Sequence, residues 1–393
     1  MKKILILLMG AALASFQLPT DKNFTLSGEI EGLQKGDTLM LTSIQLPGWK
    51  NLDTDTFIVK EVGKFSQVVP IEHSSFFLLT HKPKVGMPLE SCIRGAELFA
   101  QSGDQIKMNG SLKYLGAVRH SGGCYDEPLI ARYDSLLSST NKEMIDIFAQ
   151  IIKYRKEEKA DSVSKYGQMY NIYRSPEVYR EARKQLEHEV NDSEYAALMF
   201  TKALHSVDYA QLKERLERFT PEVKASYFGQ VLTGQLAIQK NISEGNSPAD
   251  FTVTDSKGNK VSLSDYKGKY LLIYHWGLCP GTFQVNPKIM ELYETYHAKG
   301  FEVLGFTKDN LKVSAPETYQ KINAIDQYKG LFMHPWTTVY TADTGNEFIE
   351  EELYFSGVPI LMVISPDGTT LARGYGEVFE KLKKVLEDNL AAK

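Results

Sequence analysis

A chain of 393 residues is too long for one ordinary domain, and 42% hydrophobic, 24% charged and 11% aromatic residues are the proportions of a folded globular protein. A net charge of −4 with no long run of one sign argues against nucleic acid as the main partner, because such proteins carry a basic face. Three cysteines, Cys92, Cys124 and Cys279, leave at least one thiol unpaired within the chain.

The chain opens with MKK and then ILILLMGAAL, a short basic segment before an apolar stretch of about ten residues, too short to span a membrane. Ala12-Leu13-Ala14 supplies an A-x-A cleavage pattern. Residues 1–14 are therefore expected to be a secretory signal peptide, with a buried N-terminal helix as the alternative. No cysteine follows the apolar stretch to carry a lipid, and no stable membrane span is expected. The expected location is periplasmic, a compartment where disulfides persist.

Residues 20–125 read as a small all-β domain. FTLSGEI, DTLMLTSI, FSQVVPI, SFFLLT and AELFAQ are short runs rich in β-branched and aromatic residues, separated by breaks such as LQKGD and QSGDQ. Their spacing suggests an antiparallel sandwich or barrel. Residues 126–243 read as a helical segment, with helical spacing in EPLIARYDSLLSS, EMIDIFAQIIKYRKEE, PEVYREARKQLEHEV and SEYAALMFTKALHSV. Its tyrosines are read as core and boundary residues. KNISEGNSPAD is a polar linker. Residues 248–393 then give a hairpin, the apolar strand ending in His275-Trp276, a helix from Pro280 to about Lys299, strand FEVLGFT, helix PETYQKINAIDQY, strand TTVY, helix GNEFIEEELYF, the hairpin PILMVISPDGTTLARGY and a final helix. Strands alternating with helices and ending in a hairpin predict an α/β domain with a mixed sheet flanked by helices.

Chemistry concentrates at HWGLCPGTFQVNP. Cys279 follows an apolar strand and opens a helix, and Pro280 suits the first helical position, where its missing N–H is no loss. A thiol at a helix N-terminus faces unpaired N–H groups and the positive end of the helix dipole. Both favour the nucleophilic thiolate. Thr282, one turn on, is placed to hydrogen-bond the sulfur. A buried, inert cysteine is the plainer alternative. His275 could lower the thiol pKa if it were cationic and close, or it could be an ordinary strand histidine; strand side chains alternate, so its direction is open.

Residues 248–393 resemble the thioredoxin-like domain of the TlpA/ResA and AhpC-TSA group of exported thiol–disulfide proteins. The resemblance rests on the ADFTVTD…VSLSDYKGK opening, the strand and cysteine turn, Pro287 eight residues past Cys279, and Gly357-Val358-Pro359 leading into ILMVISPDG. It implies a thioredoxin-like fold and a cis proline at Pro359 lying against the active-site sulfur. It also implies a substrate site formed by Trp276, Pro280, Val358 and Pro359, with the Val358 backbone free to pair with an extended substrate. The region before it resembles the domain of unknown function that often precedes this module.

The turn departs from the family pattern. Where C-x-x-C has its second thiol stands Thr282. The Glu that TlpA/ResA proteins often carry six residues past the first Cys is Val285. The buried acid of thioredoxins falls on Tyr274 with the tryptophans aligned, or on Ile273 with no gap. Such acids serve the second thiol, so their joint loss suggests that the dithiol cycle has been given up. Peroxiredoxin chemistry is disfavoured too, because it needs Thr three residues before the Cys, and here Thr282 follows it.

Two functions remain open. One is a single-cysteine thiol–disulfide oxidoreductase for redox homeostasis, with Cys279 and Thr282 as catalytic residues. Its partners would be protein or small-molecule thiols and disulfides, and an external thiol reductant would resolve the mixed disulfide. The other is a redox-inactive binding module. No cofactor and no metal are expected. Cys92 and Cys124 are most simply a structural disulfide; a zinc site with His120 lacks a fourth ligand, and free thiols are the third possibility. Glu350-Glu351-Glu352 is read as a solvated helix face.

Overall fold

The computed structural model describes residues 22–82, 95–308, 310–325 and 334–391; the expected signal peptide and Cys92 lie outside them. The chain divides into two compact units, residues 1–189 and 190–393.

The first unit begins with strands β1 (Asn23–Glu31), β2 (Thr38–Gln45), β3 (Lys50–Ile58), β4 (Lys64–Pro70), β5 (Ser75–His81), β6 (Ala96–Ala100), β7 (Gln105–Ser111) and β8 (Arg119–Ser121). They form two four-stranded sheets, in the orders β4-β1-β7-β8 and β3-β2-β5-β6. Alternation sets the buried faces, with Phe24, Leu26 and Ile30 inward on β1 and Leu39 and Leu41 inward on β2. The rings of Phe24 and Phe77 meet across the two sheets at 5.5 Å, so the strands make a sandwich, as expected. One pairing departs from the antiparallel expectation: β1 and β7 run parallel. Three helices follow, α1 (Pro128–Lys156), α2 (Ala160–Tyr173) and α3 (Glu177–His188). Helix α1 absorbs two stretches that the sequence separated; its buried face carries Ile130 and Tyr133 near one end and Met144, Ile145, Ile151 and Ile152 toward the other, with the polar Asp134 and Thr140 buried between them.

The second unit opens with four helices, α4 (Glu194–Ala203), α5 (Tyr209–Arg218), α6 (Pro221–Ala225) and α7 (Tyr227–Ile242). Side chains cap three of them: Asp208 in a capping box with Gln211, then Thr220, then Ser226. The expected α/β domain comes next. It comprises the hairpin β9 (Thr252–Thr254) and β10 (Lys260–Ser262), then β11 (Tyr270–His275), α8 (Pro280–Tyr296), β12 (Phe301–Thr307), α9 (Leu311–Ser314), α10 (Pro316–Asn323), β13 (Thr337–Tyr340), α11 (Ile349–Glu352), β14 (Ile360–Ile364), β15 (Thr370–Gly374) and α12 (Val378–Leu390).

The sheet order is β13-β12-β11-β14-β15. Strands β11, β12 and β13 run parallel, β14 runs antiparallel to β11, and β15 antiparallel to β14. This is the mixed sheet of a thioredoxin fold. Leu272, Tyr274 and Trp276 point into one core with Val285, Ile289 and Leu292 of α8 and Leu382 and Leu386 of α12. Each such side chain contributes roughly 1.5–3 kcal/mol by leaving water. The helix expected over residues 345–355 is a single turn, because Gly345 (φ +89°) and Tyr354 (φ +46°) bracket it in the left-handed region.

Among the described residues no helix is long and apolar enough to cross a membrane.

Candidate active site

Strand β11 ends on His275 and Trp276, and the chain turns through Gly277 and Leu278 to Cys279. Cys279 is the N-cap of α8, with extended backbone and Pro280 at the first helical position. Its sulfur accepts the Thr282 N–H at 3.3 Å and lies 3.4 Å from the Thr282 hydroxyl. A third contact comes from the opposite wall, where the thiol donates to the Val358 carbonyl at 3.3 Å. The sulfur thus meets two donors that a thiolate can use and one acceptor that only the thiol can use. Cys279 is partly exposed, while Thr282 is fully buried. This one-turn bond is the arrangement the spacing suggested.

The opposite wall is the loop before β14, and the Val358–Pro359 peptide is cis, as the resemblance implied. Two glycines let this loop approach. A Cβ on Gly281 would come within 2.9 Å of the Pro359 ring, and one on Gly277 within 3.3 Å of the Val358 side chain. Gly281→Ala is therefore expected to push Pro359 off the turn. It should lower stability by roughly 1–3 kcal/mol, the usual effect of overpacking; chemical denaturation would measure it, and an unchanged midpoint would contradict it.

The other expected site residues separate. Pro280 and Leu278 are exposed beside the sulfur, Val358 is partly exposed and Pro359 is buried. Trp276 turns into the core at 5% exposure, where His334 meets it edge-on at 4.9 Å. Beneath the turn lies Tyr274, not Ile273, whose side chain points to the other face of β11. Tyr274 is fully buried, and its phenol lies near Thr282 and Cys279 without a well-formed hydrogen bond. Burial pushes its pKa well up. Val285 is in the core. Neither position supplies an acid.

His275 points away from Tyr274, as alternation requires. Its Nδ1 lies 2.8 Å from the Gly357 carbonyl oxygen and its ring stacks on Phe355 at 4.2 Å. Burial pushes its pKa down to about 4, against the smaller opposing effect of the Gly357 bond, so the ring is neutral and does not act as a cation beside the thiol.

Sequence reasoning missed His334, Asn286 and Trp336. The His334 Nε2 lies 2.9 Å from the Asn286 Oδ1, and its ring stacks on Trp336 at 4.4 Å. Burial holds His334 at about 4 as well. Their separation in sequence, 48 residues between His334 and Asn286, left no local signal.

The two buried histidines predict an acid weakness. Each is neutral when folded down to about pH 4, whereas its ordinary value is 6.5. The unfolded chain binds those protons first, so their stabilisation is complete above about pH 6.5 and is lost as pH falls toward 4. Each shift is worth on the order of 3 kcal/mol. Unfolding midpoints between pH 7.5 and 4.5 should fall less for His334→Phe than for the parent chain; parallel curves would contradict this.

Cys124, in the first unit, carries a free thiol in this structure, and its expected partner Cys92 lies outside the described residues. Burial, with Asp104 and Glu127 nearby, pushes the Cys124 thiol far up. His120 bonds Asp134 at 2.6 Å. Among the described residues no three His, Cys, Asp or Glu side chains are grouped to hold a metal ion.

Residues 245–369 match the family model described as AhpC/TSA family. The C-terminal domain has a thioredoxin-like fold and is similar to the TlpA/ResA proteins. The thiol-disulfide oxidoreductase ResA of Bacillus cereus is 27% identical over 158 residues, covering 40% of this chain and 82% of the relative. A probable phospholipid hydroperoxide glutathione peroxidase 6 of Arabidopsis thaliana is 43% identical over 81 residues, 20% of this chain. The chain spans only 35% of that relative's length. Among solved structures, the thioredoxin domain of a thiol-disulfide oxidoreductase from Bacteroides vulgatus is 25% identical, covering 36% of this chain and 97% of that one with a TM-score of 0.28.

Proposed function

We propose that this protein is an exported, periplasmic thiol–disulfide oxidoreductase working through the single thiol of Cys279. The observation that carries the reading is one partly exposed sulfur at a helix N-cap, held by two Thr282 donors, with the Val358–Pro359 wall against it.

In the reaction, the Cys279 thiolate attacks a disulfide R–S–S–R′. A Cys279–S–S–R bond forms, and R′S⁻ leaves with the electron pair of the broken bond. A thiolate from outside then attacks the R sulfur, releasing Cys279 and making a new disulfide. The N–H and hydroxyl of Thr282 are oriented to stabilise the thiolate both as nucleophile and as leaving group. The Val358 backbone offers an edge for an extended substrate, while Leu278 and Pro280 give it an apolar floor. Without a second internal thiol, such a site suits isomerisation or deglutathionylation better than net reduction. The test is to treat the native mature protein with a glutathionylated peptide and map adducts by mass spectrometry. A mixed disulfide at Cys279, discharged by added thiol, is expected. No adduct at Cys279 in the folded protein would leave a binding module as the reading.

The glutathione peroxidase match favours a second reading for the same sulfur. A thiolate can attack a hydroperoxide ROOH, forming Cys279–SOH and releasing RO⁻, which takes a proton to become ROH. One external thiol then forms the mixed disulfide and water, and a second releases Cys279. Hydroperoxide consumption dependent on Cys279 and added thiol would select this reading over disulfide exchange.

A further inference from the structure

The segment that faces the nucleophile is held from behind by a side chain at the end of β11, the strand that leads to the nucleophile. Leu353–Pro359 carries no regular structure, yet it sets the Val358 carbonyl 3.3 Å from the sulfur. Its first residues are gripped by Arg373 of β15, whose Nη2 donates to the carbonyls of Leu353 (3.0 Å) and Tyr354. Tyr354 sits there at φ +46°, a conformation that a tyrosine keeps only where its surroundings impose it. Phe355 is clamped between His275 at 4.2 Å and Phe306 at 5.3 Å. The last grip is at Gly357. A carbonyl only accepts, so the His275 Nδ1 carries the hydrogen and donates to it at 2.8 Å. That bond lies one residue from Val358 and two from Pro359. His275 is itself four residues from Cys279 along the chain and 7% exposed.

We infer that His275 is a positioning residue for the reaction at Cys279: its Nδ1–H fixes the Gly357 carbonyl, and through it the Val358–Pro359 wall against which a disulfide substrate is aligned. This deepens the thiol-exchange reading and rests on it for its kinetic consequence, though not for its structural one. Glu350 and Arg373 are the charged groups near the ring. Neither is the donor to Gly357: Arg373 directs its Nη2 at the Leu353 and Tyr354 carbonyls, and Glu350 can only accept.

Two substitutions separate donor from ring. His275→Phe keeps an aromatic surface for Phe355 and removes the donor. His275→Asn puts an amide N–H near the Nδ1 position and removes the ring. The first readout needs no activity: the Val358 methyl resonances in carbon–proton spectra of the full mature chain at pH 7.5. They should move in the Phe variant and return close to their parent positions in the Asn variant. The second readout is steady-state exchange with a glutathionylated peptide. The Phe variant should show a KM raised about tenfold with a much smaller change in kcat, as expected when a buried carbonyl loses its partner, and the Asn variant should recover most of it. Unmoved Val358 methyls in His275→Phe, or equal KM values in all three proteins, would overturn the proposal. A parent chain with no exchange would sink the oxidoreductase reading instead, and the methyl shifts would still decide the role of His275. If His275→Phe fails to fold, the Asn variant alone decides: parent-like methyl positions support the donor role, and displaced ones overturn it.

Discussion

Replacing Cys279 with serine should bring disulfide exchange down to the rate of the external thiol acting alone. The reason is chemical rather than structural. A serine hydroxyl fits the space and can keep the Thr282 and Val358 hydrogen bonds, but it is not ionised at neutral pH and forms no disulfide. The fold should therefore survive while the rate is lost, and a thermal melt run beside the assay separates the two. Cys124→Ser is the matched control, since burial holds that thiol protonated and unreactive. Exchange that persists in Cys279→Ser would end the single-thiol reading. Partners captured equally by the parent chain and by Cys279→Ser, with no exchange in either, would point to binding through the groove beside Val358.

Restoring the second thiol should change the kind of reaction as well as its rate. In Thr282→Cys the new sulfur would start near the present hydroxyl, 3.4 Å from the Cys279 sulfur. Closing to a disulfide of about 2.05 Å needs a shift of little more than 1 Å, within what a side-chain rotation at a helix N-terminus can give. The oxidised variant should be two mass units lighter, and Cys279 should resist alkylation until a reductant is added. With an external dithiol it should reduce disulfides with turnover, releasing its substrate internally. The buried neighbour of the new thiol would be Tyr274, whose pKa burial pushes well up, so proton transfer at that sulfur should be slow compared with a site that has an acid there. Failure to form the internal disulfide under mild oxidation would show that the turn holds residue 282 away from the sulfur, contrary to the geometry described.

Much of this was legible before any coordinates, and the limits have physical causes. Strand β12 falls on FEVLGFT because a buried parallel strand is a short apolar run between breakers, and the edge strand β13 falls on TTVY, whose residues are β-branched or aromatic. The Cys279 turn was legible because N-cap, Pro280 and Thr282 lie within four residues. Strand β3 was missed because all but one of its residues are exposed, so Lys50–Ile58 shows no inward–outward alternation. Helix α2 falls inside the segment read as helical but carried no apolar spacing of its own, as none of its residues is buried. The grip of His275 on Gly357 and the stacking of His334 on Trp336 are tertiary facts. The first joins residues 82 apart, and no local pattern encodes it. Sequence could only leave the direction of His275 open, and it did.

The family match and the compact unit are different lengths of chain. The match ends at residue 369, before β15 and α12, while the compact unit begins at residue 190, well before the match. The segment before the match is tied into the domain. Gly245 and Asn246 exchange backbone bonds with Thr370, Lys381 of α12 pairs with Glu244, and the Tyr375 hydroxyl bonds the carbonyl of His205. The matched segment is thus shorter at both ends than the compact unit that holds it. Helices α4–α7 share one compact unit with the matched segment, and anyone transplanting the Cys279 turn into another protein would need to cut near residue 190 rather than at the edge of the match.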